Sequence, residues 1–217
     1  MLLLKVCGIT REEDAAAACA MGYGAVGLIF TDSPRRITPE RAREICSYLP
    51  SPILRVGVFA GEEETEVRCV MEYCGLDLVQ LHGSEDPGEV MRFGARAIAV
   101  LRPRSPEDLE RMEDYRGVFA VLLDTWDPFL AGGTGRTCDW ELAARAALSS
   151  RIILAGGLGP ANVGAAVRMV HPFGVDVCSG VESSPGRKDG PLMREFARAA
   201  GDAYLAGSEE ESDDENA

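Results

Sequence analysis

Eight short apolar, β-branched runs, separated by stretches of helical periodicity, constrain this chain more than any other feature. The runs occupy 2–7, 25–30, 53–60, 77–81, 96–101, 118–123, 151–155 and 174–178. Between them, Ala42, Ile45, Cys46 and Leu49 fall at i, i+3, i+4 and i+7. So do Val67, Val70, Met71 and Cys74, and again Val163, Ala166, Val167 and Val170. Each set makes one apolar helical stripe. Strands that alternate with helices pair in parallel, because a parallel neighbour needs a crossover connection. Eight such units, with strands apolar on both faces, fit a closed (β/α)8 barrel in about the smallest length that fold takes. An open doubly wound sheet is the competing arrangement. The even count favours closure, and no GxGxxG follows the first run.

Turn and cap chemistry marks the helix starts. Thr10 with Glu13 is expected to form a capping box. Thr38-Pro39, Asp86-Pro87 and Ser105-Pro106 each place a capping side chain before a proline at the first helical position. A further helix is expected to begin near Pro160. A chain of 217 residues suits one domain. The barrel is expected over 1–207, and 208–217 as an acidic disordered tail. That segment carries Glu209, Glu210, Glu211, Asp213, Asp214 and Glu215 with no base and almost nothing apolar to bury.

Charge and cysteine usage narrow the function classes. A formal net charge of −13 repels phosphate backbones, so nucleic acid is not an expected partner. The seven cysteines are scattered singly, with no CxxC pair, which suits a reducing, cytoplasmic compartment better than a disulfide framework. Only three leucines precede Lys5, too few for a secretory signal, and no apolar run approaches the ~20 residues of a membrane span. With His82 and His171 the only histidines, a three-histidine zinc site is excluded.

In a (β/α)8 barrel the chemistry lies at the C-terminal ends of the strands. The ends of the apolar runs therefore matter most. They include Cys7-Gly8, Leu81-His82-Gly83, Leu101-Arg102, Asp124-Thr125, Ala155-Gly156-Gly157 and Cys178-Ser179-Gly180. Cys7 and Asp124 are the groups able to transfer protons, with His82 a third candidate. Gly156 and Gly157 in the seventh loop, and Ser179 and Gly180 in the eighth, let backbone N–H groups approach an anion, and phosphate binding at these two loops is frequent in the fold.

Together KVCGIT, GLIFTDSPRRIT, RVGVF, VQLHG, LLDT followed by GGTG and DW, AGGLGPANV and DVCSGVESSPGRKD resemble the phosphoribosylanthranilate isomerases of tryptophan biosynthesis. The resemblance runs in order from about residue 3 to about residue 200. It implies a single-domain barrel performing an Amadori rearrangement of N-(5-phosphoribosyl)anthranilate, a small phosphosugar, without metal or organic cofactor, as a monomer or homodimer. It implies Cys7 as general base, Asp124 as general acid and Arg35 as the group that binds the anthranilate carboxylate. Thiols near pKa 8.5 supply some thiolate at neutral pH, more beside positive charge, whereas burial helps a carboxyl group keep its proton. Loop residues Gly133, Thr134 and Gly135 are expected to act as a hinged lid, and His82 to touch substrate. Two other readings stand beside this one. A related barrel isomerase of histidine biosynthesis, or an enzyme serving both pathways, would pair two aspartates in the family it resembles, which Cys7 disfavours. A phosphate-binding barrel without catalysis would have no use for both proton-transfer groups.

Overall fold

The computed structural model describes residues 1–83, 86–124 and 139–214. Strands β1 (Leu3–Cys7), β2 (Ala25–Ile29), β3 (Leu54–Phe59), β4 (Leu78–Leu81), β5 (Ala97–Leu101), β6 (Ala120–Leu123), β7 (Ile152–Leu154) and β8 (Gly174–Val177) follow one another around a closed barrel. Every neighbouring pair is parallel, and β8 returns to β1 with Lys5 opposite Asp176 and Val6 opposite Val177. Helices α1 (Glu12–Ala20), α2 (Pro39–Tyr48), α3 (Glu64–Cys74), α4 (Pro87–Met91), α5 (Trp140–Ala147), α6 (Val163–Val170) and α7 (Gly190–Asp214) cover the outside. Between β5 and β6 the covering element is a 3-10 helix, Pro106–Tyr115, rather than an α-helix.

Outward strand residues such as Val26, Leu28, Val79 and Leu123 join the helix stripes in one core. Inward residues fill the barrel, with Ala25, Val56, Leu78, Ile98, Leu122 and Ile153 packed together. Above them Cys7, Ile29 and Val58 meet Cys178 at the C-terminal end. This is a packed interior with its chemistry confined to the top.

Caps at Thr38 and Asp86 form as expected, accepting from Arg41 N at 3.3 Å and Gly88 N at 2.9 Å. Ser105 N–H donates to Asp108 at 3.1 Å at the start of the 3-10 helix. The capping box at Thr10 does not form. Arg11 is the N-cap of α1, and the Thr10 hydroxyl donates instead to Gly186 O at 2.6 Å, tying the first loop to a hairpin made by β9 (Glu182–Ser184) and β10 (Arg187–Lys188). Helix α6 starts at Val163 rather than near Pro160, because the Asn162 side chain bonds Gly157 O and Gly159 N and holds the preceding turn. Helix α7 runs to Asp214, so helical backbone enters the acidic segment read from sequence as a disordered tail. A helix already docked can lengthen without a new nucleation step.

Candidate active site

Cys7 closes β1, and period two puts its side chain on the same inward face as Lys5. It is 6% exposed. Gly27, opposite it on β2, makes the room: a Cβ there would stand 2.7 Å from the Cys7 sulfur. Continuing the β1–β8 register one step past Val6 and Val177 brings Cys178 alongside. Hydrogen bonding from the neighbouring Cys178 thiol holds Cys7 well below the ordinary thiol range; burial opposes this, and the charges of Lys5 and Lys188 reinforce it. The Cys178 thiol is correspondingly raised, first by that donation and then by burial. A thiolate here is a competent base near neutral pH.

Beneath the thiols, Lys5 Nζ donates to Asp176 Oδ2 at 2.8 Å, the lysine fully buried and the aspartate 8% exposed. Burial pushes Asp176 up to about 7 against the pull of Lys5. Burial would lower Lys5, but Asp176 and the two cysteines outweigh it and raise it.

On the outer side of Cys178, Lys188 Nζ donates to Cys178 O at 3.1 Å and to Glu182 Oε1 at 2.9 Å, and lies 3.8 Å from the Cys178 sulfur. Glu182 also receives Arg35, through Nε at 2.9 Å and Nη2 at 2.7 Å. Burial would raise Glu182, yet Arg35 and Lys188 keep it below the usual carboxylate range. Gly8, at φ +75°, lets the Arg35 stem lie across the end of β1, where a Cβ would meet Arg35 Cδ at 2.7 Å. Arg35 is thus brought to the mouth, while Arg36 is exposed and bridges Ile29 through its backbone.

Asp124 follows β6, its N–H on Leu101 O at 3.0 Å and its side chain 25% exposed. Arg102, at the end of β5, reaches Asp124 Oδ2 from Nε and Nη2, both at 3.4 Å, and His82 Nδ1 at 3.3 Å. Burial lowers His82, favouring a neutral ring at pH 7. Arg102 can only donate to Nδ1, which puts the ring proton on Nε2; Gln80 Nε2 stands 2.7 Å from that atom, and turning the Gln80 amide about its last bond brings its buried, unpartnered oxygen there as the acceptor.

The seventh and eighth loops pack against each other. Gly156 and Gly157 have φ of +78° and +64°. Ser179 and Gly180 form a 3-10 turn with Val181. Gly180 lies so close that an added Cβ would stand 2.0 Å from Leu158 O. The structure therefore brings Cys7, Arg35, His82, Asp124 and both glycine loops to one end of the barrel. Gly133, Thr134 and Gly135 lie outside the described residues.

Five charged or nucleophilic groups were missed as site residues in the sequence reading: Lys5, Arg102, Asp176, Cys178 and Lys188. Strand periodicity could have found three of them, since Lys5 shares a face with Cys7, and Asp176 one with Cys178. Among the described residues no cluster of His, Cys, Asp and Glu could hold a metal ion.

Comparison with known proteins gives one consistent result. Residues 4–199 match the family model for N-(5'phosphoribosyl)anthranilate (PRA) isomerase. A relative of that name from Pelobacter propionicus is 49% identical over 201 residues, covering 92% of this chain and 96% of its own. One from Rubrobacter xylanophilus is 47% identical over 204 residues, covering 92% and 99%. The crystal structure of phosphoribosyl anthranilate isomerase from Thermotoga maritima superposes with a TM-score of 0.86 at 40% identity, covering 93% of this chain and all of the other. Another structure of such an isomerase, in complex with reduced 1-(o-carboxyphenylamino)-1-deoxyribulose 5-phosphate, gives 0.82 at 38% identity over the same shares.

Proposed function

The chain belongs to the N-(5'-phosphoribosyl)anthranilate isomerase family and converts that aminoaldose to its aminoketose in tryptophan biosynthesis; from this premise we propose that Cys7 is the base and Asp124 the acid of the rearrangement. The observation that carries the assignment is the placement of a thiol, its pKa lowered by its neighbours, at the end of β1 and a carboxyl group after β6, both opening on one barrel mouth.

Asp124, as the acid, delivers a proton to the furanose ring oxygen, the C1′–O bond breaks, and an iminium forms between C1′ and the anthranilate nitrogen. The Cys7 thiolate then removes the C2′ proton, and the electron pair of that C–H bond becomes the C1′=C2′ double bond of an enolamine. Ketonisation moves a proton to C1′ and leaves the carbonyl at C2′. C1′ is reduced and C2′ oxidised within one molecule, so the balance needs no external electron acceptor.

Arg35 is the reading for the anthranilate carboxylate, supported by a guanidinium fork lying over β1 and braced by Glu182. Gly156, Gly157, Ser179 and Gly180 are the reading for the 5′-phosphate, supported by the close packing of their loops. His82, neutral and wedged between Gln80 and Arg102, keeps Arg102 beside Asp124. A reducing, cytoplasmic compartment fits the six unpaired cysteines among the described residues.

Loss of anthranilate fluorescence, with substrate generated in place, tests the assignment. Cys7→Ala and Asp124→Asn should each lower kcat by about 10²- to 10⁴-fold in a folded protein. Near-normal kcat in either variant would remove that residue from its role.

A further inference from the structure

Cys178 is not one of the groups that the acid–base scheme uses, yet it packs against the small cluster that holds the reacting sulfur. Strand register sets it beside Cys7, and the two side chains pack with Ile29 and Val58 in a small cluster at the top of the barrel. Glycines border both sulfurs. Gly27 leaves space over Cys7, and a Cβ on Gly8 would come 3.2 Å from the Cys178 sulfur.

Lys188 fixes which way Cys178 can donate. An ammonium has donors only, so where it points at the Cys178 sulfur from 3.8 Å that sulfur is the acceptor. Its own S–H must turn elsewhere, and the Cys7 sulfur, set alongside by the strand register and packed in the same cluster, is the acceptor open to it. The bond from Lys188 Nζ to Cys178 O, at 3.1 Å, holds the Cys178 backbone in the same place.

We propose that Cys178 is a positioning residue for the base: its thiol proton holds the Cys7 sulfur as an acceptor, aimed into the barrel mouth, before substrate arrives. The proposal rests on the reading of Cys7 as base. The charged and titratable groups around Cys7 are Lys5 on its own strand, Asp176 and Cys178 on β8, His82 after β4, Lys188 on β10 and Arg35 after β2. Asp176 is tied to Lys5, Arg35 and Lys188 share Glu182, and His82 is held between Gln80 and Arg102, which leaves Cys178 as the neutral donor beside Cys7.

The pH dependence of kcat/KM reports the free enzyme's essential groups, and its acid limb follows the base. Removing a hydrogen bond to a charged acceptor in Cys178→Ala should move that limb to higher pH by about one to two units. Cys178→Ser, whose hydroxyl donates in the same place, should restore most of the shift. The rate of Cys7 alkylation by iodoacetamide, followed on the Cys7 peptide by mass spectrometry, should move with pH in the same way. Acid limbs and alkylation curves that superimpose for wild type and Cys178→Ala would overturn the proposal. If Cys178→Ala fails to fold, Cys178→Val, which fills the space without a donor, carries the same prediction. Cys7→Ala run in parallel separates the two claims. Wild-type turnover there would overturn the base assignment itself, whereas an inactive Cys7→Ala with an unmoved Cys178→Ala profile would overturn only the role given to Cys178.

Discussion

Lys5 shows how much of the site is electrostatic. A lysine with no exposure stands in the barrel because Asp176 meets it at 2.8 Å, and the pair lies directly under the thiols. Breaking such a pair leaves one charge buried alone, which is far costlier than replacing both. Lys5→Met should therefore destabilise the protein in a pH-dependent way. Asp176 is raised to about 7 in the folded state, against about 3.9 when unfolded. A raised carboxyl group contributes stability below its unfolded value and loses it as pH rises through the folded one. Without Lys5 the folded value rises further, so the loss continues past pH 7. Urea midpoints of Lys5→Met and wild type should be closest near pH 5 and separate progressively toward pH 9; a constant gap would contradict this. In the sequence, Cys7 and Asp124 stand out at the ends of their apolar runs, and Arg35 through the family resemblance. The reading passed over Lys5, Cys178 and Asp176 because each lies in or at the end of an apolar run, where only the strand's face decides whether a side chain looks at the site or at a helix.

At the level of elements, the reading succeeded where the signal is a repeated one. All eight strands fall within a residue or two of the apolar runs, and Thr38 and Asp86 cap as their sequences require. Local chemistry failed where a distant segment competed. Thr10 leaves its capping box for Gly186 O, 176 residues away, because the β9–β10 hairpin folds back over the first loop. The same hairpin carries Lys188 to Cys178, a contact no local pattern could announce. Loop packing is just as non-local. Gly180 reads as a turn residue, but its place is set by Leu158 O, which a Cβ would approach to 2.0 Å. Gly180→Ala should push the seventh and eighth loops apart, cost about 1–3 kcal/mol of stability and raise KM at least roughly tenfold if those loops hold the phosphate. An unchanged KM in the folded variant would place the phosphate elsewhere.

For the whole molecule, closure of the barrel is what makes the chemistry. Cys7 and Asp124 stand 117 residues apart in sequence, on strands separated by β8 and β7 around the ring, and only the closed order brings both to one mouth. Charge is also arranged at this scale. A chain of formal net charge −13 must attract a substrate that carries a phosphate and a carboxylate, and it gathers Arg35, Arg102, Lys188 and Lys5 at the catalytic end. On the proposed assignment this mouth divides the reaction, Asp124 opening the ring and Cys7 taking the C2′ proton. Single-turnover conversion of substrate deuterated at C2′ tests it most directly. Weakening the base in Cys7→Ser should slow the C–H step alone and give a primary isotope effect larger than in wild type, while Asp124→Asn, slowed before that step, should show none beyond wild type. A slowed Cys7→Ser with no isotope effect would mean that the lost step is not C2′–H cleavage, and that Cys7 is not the base.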